Sequence, residues 1–164
     1  MKILKRRRRE SKTDYLKRIK FLKSNSARVV FRKTNKYIVA QYITSKNAQD
    51  KIEIGINSKV LMKYGWPKQA ENSLKGLSAA YLTGFLLGNK ILKNKKETPI
   101  IDFGMIRNLY KTKLYAFLKG LVDSGVEVKF NEEKELFPSE DRIKGEHMKN
   151  KIPFQEIKSK IEKE

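Results

Sequence analysis

The sequence predicts an α/β fold with a mixed β-sheet. An antiparallel hairpin and a third strand are followed by helix-connected strands, the sheet is packed with helices, and a basic N-terminal extension precedes it. Three observations predict this. Two β-rich runs, residues 28–33 and 37–43, are separated by three polar residues, which is a hairpin pattern. Two longer apolar patterns of helical period then alternate with short β-rich runs, the order in which later strands join a sheet through helical crossovers. The first 36 of the 164 residues carry fifteen Lys or Arg against two acids, a net +13 of the chain's +20.

Residues 1–10 have no hydrophobic period and are expected to lack structure of their own. A helix is expected from about Ser11, where Ser11-Lys12-Thr13-Asp14 has capping-box spacing. Leu16, Ile19 and Leu22 recur every three residues, so the helix is expected to rest that stripe on protein and offer Lys17, Arg18, Lys20 and Lys23 elsewhere. In the hairpin, Asn35 is the expected positive-φ residue. Alternation marks a third strand over 52–56. Ser58 is expected to cap a short helix through Tyr64, closed by Gly65 and stopped by Pro67. Residues 67–76 read as a loop. A main core helix is expected from Ser78, with Gly84 and Gly88 packing closely against the sheet. Residues 99–104 read as a short buried-type strand, residues 114–122 as a second helix ended by Gly125, and residues 126–128 as a possible last strand. The chain thus divides into a basic extension with a short helix (1–25), an α/β domain (26–130) and a charged C-terminal tail (131–164).

So concentrated a positive field repels itself until a polyanion neutralises it, which puts nucleic acid first among partners. No apolar run approaches the roughly 20 residues of a membrane span, and Met1-Lys2-Ile3-Leu4 runs directly into arginines, so no secretory leader is expected. The absence of cysteine excludes disulfides and thiolate metal sites and fits a reducing cytosol. No Gly-rich phosphate loop is present, and His147 is the only histidine. An enzyme reading, a metal-dependent nuclease, would need several converging carboxylates; Asp102 is better read as fixing a loop. No cofactor and no small-molecule substrate are expected.

Binding chemistry is better represented. The cations Lys5, Arg6, Arg7, Arg8, Arg9, Lys12, Lys17, Arg18, Lys20 and Lys23 occupy the extension. Arg28, Val30 and Arg32 share one face of the hairpin, so the guanidinium groups are expected to be presented while Val29 and Phe31 pack. Lys33, Asn35 and Lys36 lie at its turn. Tyr15, Tyr37, Tyr64 and Trp66 lie among these cations, and aromatic rings stack on unpaired bases. Arg107, Lys111 and Lys113 cluster between a strand and a helix.

Several stretches resemble the large-subunit ribosomal protein L-eighteen family in its archaeal and eukaryotic form. They begin with Arg6-Arg7-Arg8-Arg9-Glu10-Ser11-Lys12-Thr13-Asp14-Tyr15, Leu22-Lys23-Ser24, Arg28-Val29-Val30 and Arg32-Lys33-Thr34-Asn35-Lys36. Lys63-Tyr64-Gly65-Trp66, Ala80-Tyr81-Leu82-Thr83-Gly84, Asp102-Phe103-Gly104, Leu118-Lys119-Gly120 and Asp123-Ser124-Gly125 follow in order. Phe137-Pro138, Arg142-Ile143 and Gly145-Glu146-His147 complete the series. Two loops depart from the family pattern. Residues 67–77 only partly echo its Gly-Asn loop, and Lys111 and Thr112 stand where it tends to place Gly-Ser. The resemblance implies a non-catalytic ribosomal protein of the cytoplasm. It would bind 5S rRNA and help anchor it to the large rRNA in the central protuberance, beside neighbouring large-subunit proteins and away from any membrane. The alternative is a general nucleic-acid chaperone.

Overall fold

A computed structural model describes residues 3–128, 136–148 and 151–163. The N-terminal part holds α1 (Arg6–Arg9), α2 (Tyr15–Ser24), β1 (Arg28–Lys33), β2 (Ile38–Lys46) and β3 (Gln49–Asn57). Two 3₁₀ helices, Ser58–Tyr64 and Lys68–Ser73, lead to α3 (Leu77–Lys93). Then come β4 (Ile100–Asp102), α4 (Lys113–Asp123), α5 (Glu140–Lys144) and α6 (Phe154–Lys163).

The sheet is mixed, in the order β3-β2-β1-β4. β1 pairs antiparallel with β2, from Arg28 opposite Ile43 to Lys33 opposite Ile38. β4 runs parallel to β1, with Asp102 opposite Val30. Alternation sends Val29, Phe31, Ile38, Ala40, Tyr42, Ile54 and Ile56 into one core with α3 and α4. The outer face carries Arg28, Val30, Arg32, Gln41 and Ile43.

Turn chemistry differs from expectation in two places. Asn35 keeps negative φ; the hairpin is tied instead by Thr34, whose hydroxyl accepts the Tyr37 N–H at 2.9 Å. The next turn, by contrast, has Asn47 and Ala48 both at positive φ (51° and 62°), the twist a two-residue hairpin requires. Gly65, at φ 106°, closes the first 3₁₀ helix as expected, but Asn57 rather than Ser58 caps it. The Ser58 hydroxyl is buried and accepts the Ile38 N–H at 3.0 Å. Residues 67–76, expected as a loop, contain the second 3₁₀ helix.

α3 and α4 cross in close contact, and their glycines are the reason. A Cβ on Gly84 would collide with the Phe117 carbonyl, and one on Gly120 with the Tyr81 carbonyl. The close approach is therefore helix on helix, not helix on sheet. Gly88 likewise faces Ser124 and Val126. Residues 126–128 form no strand; Val126 is buried against the core while Glu127 is exposed. β4 is less buried than its composition suggests, because it is the edge strand: Ile100 is exposed and only Asp102 is buried.

The C-terminal part contributes to the core. Phe154, Ile157 and Ile161 fall on one face of α6 and are buried. The Phe154 ring lies 5.4 Å from that of Tyr81, and Asn89 donates to the Ile161 carbonyl at 3.3 Å. Of the expected tail, residues 131–135, 149–150 and 164 lie outside the described residues.

Candidate nucleic-acid interface

The outer face of the sheet is polar, and α2 lies across it by ion pairs. Asp14 caps α2, its carboxylate accepting the Leu16 and Lys17 N–H groups at 3.0 and 3.2 Å. The cap is thus three residues later than expected. Ser11 instead closes α1, at φ 49° and donating its N–H to the Arg8 carbonyl. From this cap the helical period points Arg18 and Phe21 at the sheet. Asp50 then joins helix and strand: one carboxylate oxygen accepts from Arg18 at 2.9 Å, the other from Arg28 at 2.8 Å and Ser45 at 2.7 Å. Burial opposes ionisation of Asp50, but the hydrogen bonds from Arg18 and Ser45 and the charges of Arg28 and Arg18 outweigh it. Its carboxyl is held below the usual Asp range. Phe21 stands 5.8 Å from the Arg28 guanidinium.

Docking by these residues turns the expected apolar stripe outward. Leu16 is 65% exposed and Ile19 50%, beside exposed Lys20 and Lys23. The outer surface is therefore mixed apolar and cationic.

Arg28 is not presented. It is 3% exposed and committed to Asp50 and Ser45. Arg32 is committed as well. It bonds the carbonyls of Phe31 and Asp102 at 2.8 and 3.2 Å and the Asp102 carboxylate at 3.2 Å. The other Asp102 oxygen accepts the Gly104 N–H at 2.7 Å. Arg32 and Asp102 together fix the turn after β4. Trp66 is core: it is 3% exposed and its indole N–H donates to the Ala70 carbonyl. Tyr64 and Tyr37 are half-buried against the core.

What remains outside divides into two surfaces. The first is the arm with α2. Arg7 bonds the Thr13 hydroxyl and lines a groove of about 240 Å³ above Arg28 and Arg32. Lys5 sits 4.6 Å over the Tyr15 ring. Glu10 is taken by Lys12 and, at 3.8 Å, by Arg6. Arg8, Arg9, Lys17, Lys20 and Lys23 have no acidic partner among the described residues. Lys2 lies outside them. The second surface joins the exposed hairpin residues Lys33, Asn35 and Lys36 with the loop before α4. Arg107 and Lys111 are exposed there, Lys111 at φ 57° with its N–H on the Leu136 carbonyl, and Lys113 is half-buried. Burial, then the charges of Lys33 and Lys75, push the Lys113 amine below its ordinary value. Lys75, Arg142 and exposed Tyr110 also belong to this region. The sequence reading missed them because each lies remote from, or uncounted within, the cation clusters that are continuous in the chain.

A mixed α/β sheet with a basic arm, and with its carboxylates spent on internal pairing, defines a polyanion-binding protein. Residues 1–99 match the family described as ribosomal large subunit proteins 60S L5, and 50S L18. The chain is 45% identical over 147 residues to the large ribosomal subunit protein uL18 of Korarchaeum cryptofilum, covering 90% of this chain and 72% of that protein. It is 41% identical over 143 residues to uL18 of Methanoregula boonei, covering 87% and 79% respectively. It is 39% identical over 148 residues to uL18 of Methanospirillum hungatei, covering 90% and 81%. The chain belongs to this family. It is an RNA-binding structural constituent of the large subunit of the cytoplasmic ribosome, a ribonucleoprotein component in translation and not an enzyme.

Proposed function

We propose that the chain binds 5S rRNA and helps anchor it to the large rRNA in the central protuberance. The arm and α2 follow phosphates through Lys5, Arg6 to Arg9, Lys12, Lys17, Lys20 and Lys23. The hairpin tip, with Lys33, Asn35 and Lys36, and the loop with Arg107, Lys111 and Lys113 meet a fixed RNA geometry. Tyr15 adds a ring beside the arm. Arg18, Arg28 and Arg32 serve by holding this surface together. In this reading residues 1–25 are the phosphate-tracking extension and 26–130 the RNA-binding domain. Residues 136–148 and 151–163 of the C-terminal part support the core from the side away from the RNA.

The observation that carries the reading is the separation of charge. The acids near the arm, Glu10, Asp14 and Asp50, are used internally. Outside them Arg8, Arg9, Lys17, Lys20 and Lys23 have no acidic partner among the described residues. RNA selectivity then comes from shape, loops and 2′-hydroxyls that other duplexes do not reproduce. The test is a competition at physiological salt between labelled 5S rRNA, tRNA and duplex DNA. The expected order puts 5S rRNA first; equal affinity for all three would leave a general nucleic-acid chaperone.

A further inference from the structure

A hollow at the N-terminal end of α4 combines an apolar floor with a cationic rim. The floor is Leu77, Ile106, Leu109 and Leu114; Leu109 is 48% exposed and Ile106 37%. The rim is Lys33, Arg107, Lys111, Lys113 and Arg142. Lys33, Arg107, Lys113 and Arg142 have no acidic partner among the described residues. Burial first, and then the like charge of Lys33, hold the Lys113 amine below its ordinary value. The first-turn amides of α4 add potential of the same sign, since Thr112 does not cap them. Its hydroxyl donates instead to the Leu109 carbonyl at 2.7 Å.

Inorganic phosphate would satisfy the rim and leave the floor wet. An apolar peptide would cover the floor and leave the rim uncompensated. A nucleotide answers both, with a flat base for the aliphatic floor and a phosphate for the rim. The hollow, about 390 Å³, lies within the roughly 300–1,000 Å³ of small-molecule sites. We infer that it receives a single unpaired nucleotide of the bound RNA, its base on Leu109 and Ile106 and its phosphate between Lys33 and Lys113. This deepens the RNA-binding reading above and depends on it only for the source of the nucleotide.

The test is methyl-resolved NMR of the full chain, titrated with adenosine and uridine 5′-monophosphate, the matching nucleosides, and inorganic phosphate at equal ionic strength. The mononucleotides should shift the Leu77, Ile106 and Leu109 methyls with a Kd of roughly 1 mM, and nucleosides and phosphate should each bind about tenfold more weakly. The pair Lys33→Ala with Lys113→Ala should weaken mononucleotide binding about tenfold while the other methyl signals stay in place. If that pair unfolds the chain, Leu109→Asp, at an exposed loop position, supplies the same contrast by placing a carboxylate on the floor. Phosphate binding as tightly as the mononucleotides would overturn the inference in favour of a plain anion site. Nucleosides binding as tightly would overturn it in favour of an apolar one. Shifts spread equally over the arm and α2 would reduce it to diffuse attraction. Mononucleotide binding without any preference for 5S rRNA would instead defeat the earlier reading and leave this one standing.

Discussion

Asp50 sits between two guanidinium groups, and water reaches the two pairs unequally. The Arg28 side chain is 4% exposed, that of Arg18 32% and that of Asp50 29%. An exposed pair contributes about 0–1 kcal/mol, and breaking a fully buried one costs about 3–5 kcal/mol. Asp50→Asn should fall between, at about 1–3 kcal/mol, and should act locally. Amide exchange across Tyr15–Ser24 should speed up while α3 stays protected; equal loosening of both would place the effect in the core instead. The same pairing sets a pH dependence. The Asp50 carboxyl is depressed in the folded chain, so its contribution is fully present above the ordinary Asp value of about 3.9. It is lost as the pH falls through the lower folded value. Undocking of α2 below about pH 4, ahead of loss of the sheet signal in circular dichroism, is the expected sequence of events.

At the level of elements, the contact of α3 with α4 leaves no room at its two glycines. Gly120→Val would drive a branched side chain into the Tyr81 carbonyl, where backbone, not a flexible side chain, must yield. Overpacking of this kind costs about 1–3 kcal/mol or more. Thermal unfolding should show it, whereas Gly55→Ala, with its nearest side-chain atom at 3.6 Å, should pass nearly unnoticed. The first four strands, the antiparallel pairing of three of them, the entry of the fourth through a helix and both long helices could be read from the sequence, because period and turn residues report local geometry. The glycines' partner could not: spacing says that something approaches Gly84, not whether it is a sheet or Phe117. α2 was misjudged for a related reason. Leu16, Ile19 and Leu22 form a stripe, but the surface they were expected to meet holds Arg28, Asp50 and Ser45. A helix face chooses between apolar burial and ion pairing only when its partner surface is known. α6 carried a clean apolar period at Phe154, Ile157 and Ile161, a signal present in the sequence but hidden by the surrounding charges.

Across the whole molecule, charge is sorted by chain position. The first 36 residues hold net +13 and residues 127–164 net −1. Removing residues 1–10 takes away Lys2, Lys5 and Arg6 to Arg9. If most of these touch phosphate, the plot of log affinity against log salt should flatten by about 3–5 units. Preference for 5S rRNA over tRNA should persist, because Lys33, Asn35, Lys36 and the loop before α4 remain. Loss of that preference on deletion would move specificity into the arm. The sequence located the arm and the hairpin tip through uninterrupted runs of cations. It could not separate Arg28 and Arg32, spent internally, from Lys33, nor bring Lys75 and Arg142 to Lys113, since only tertiary structure joins them. The packing of α6 over α3 also has a consequence in time. Tyr81 and Phe85 are complete as a helical face once residue 93 is made, yet the side chains that cover them lie in Phe154–Lys163. At synthesis rates of about 5–20 residues per second, that face waits roughly 4–14 s for its cover. Throughout that interval the nascent protein offers chaperones an aromatic surface that the finished one withdraws.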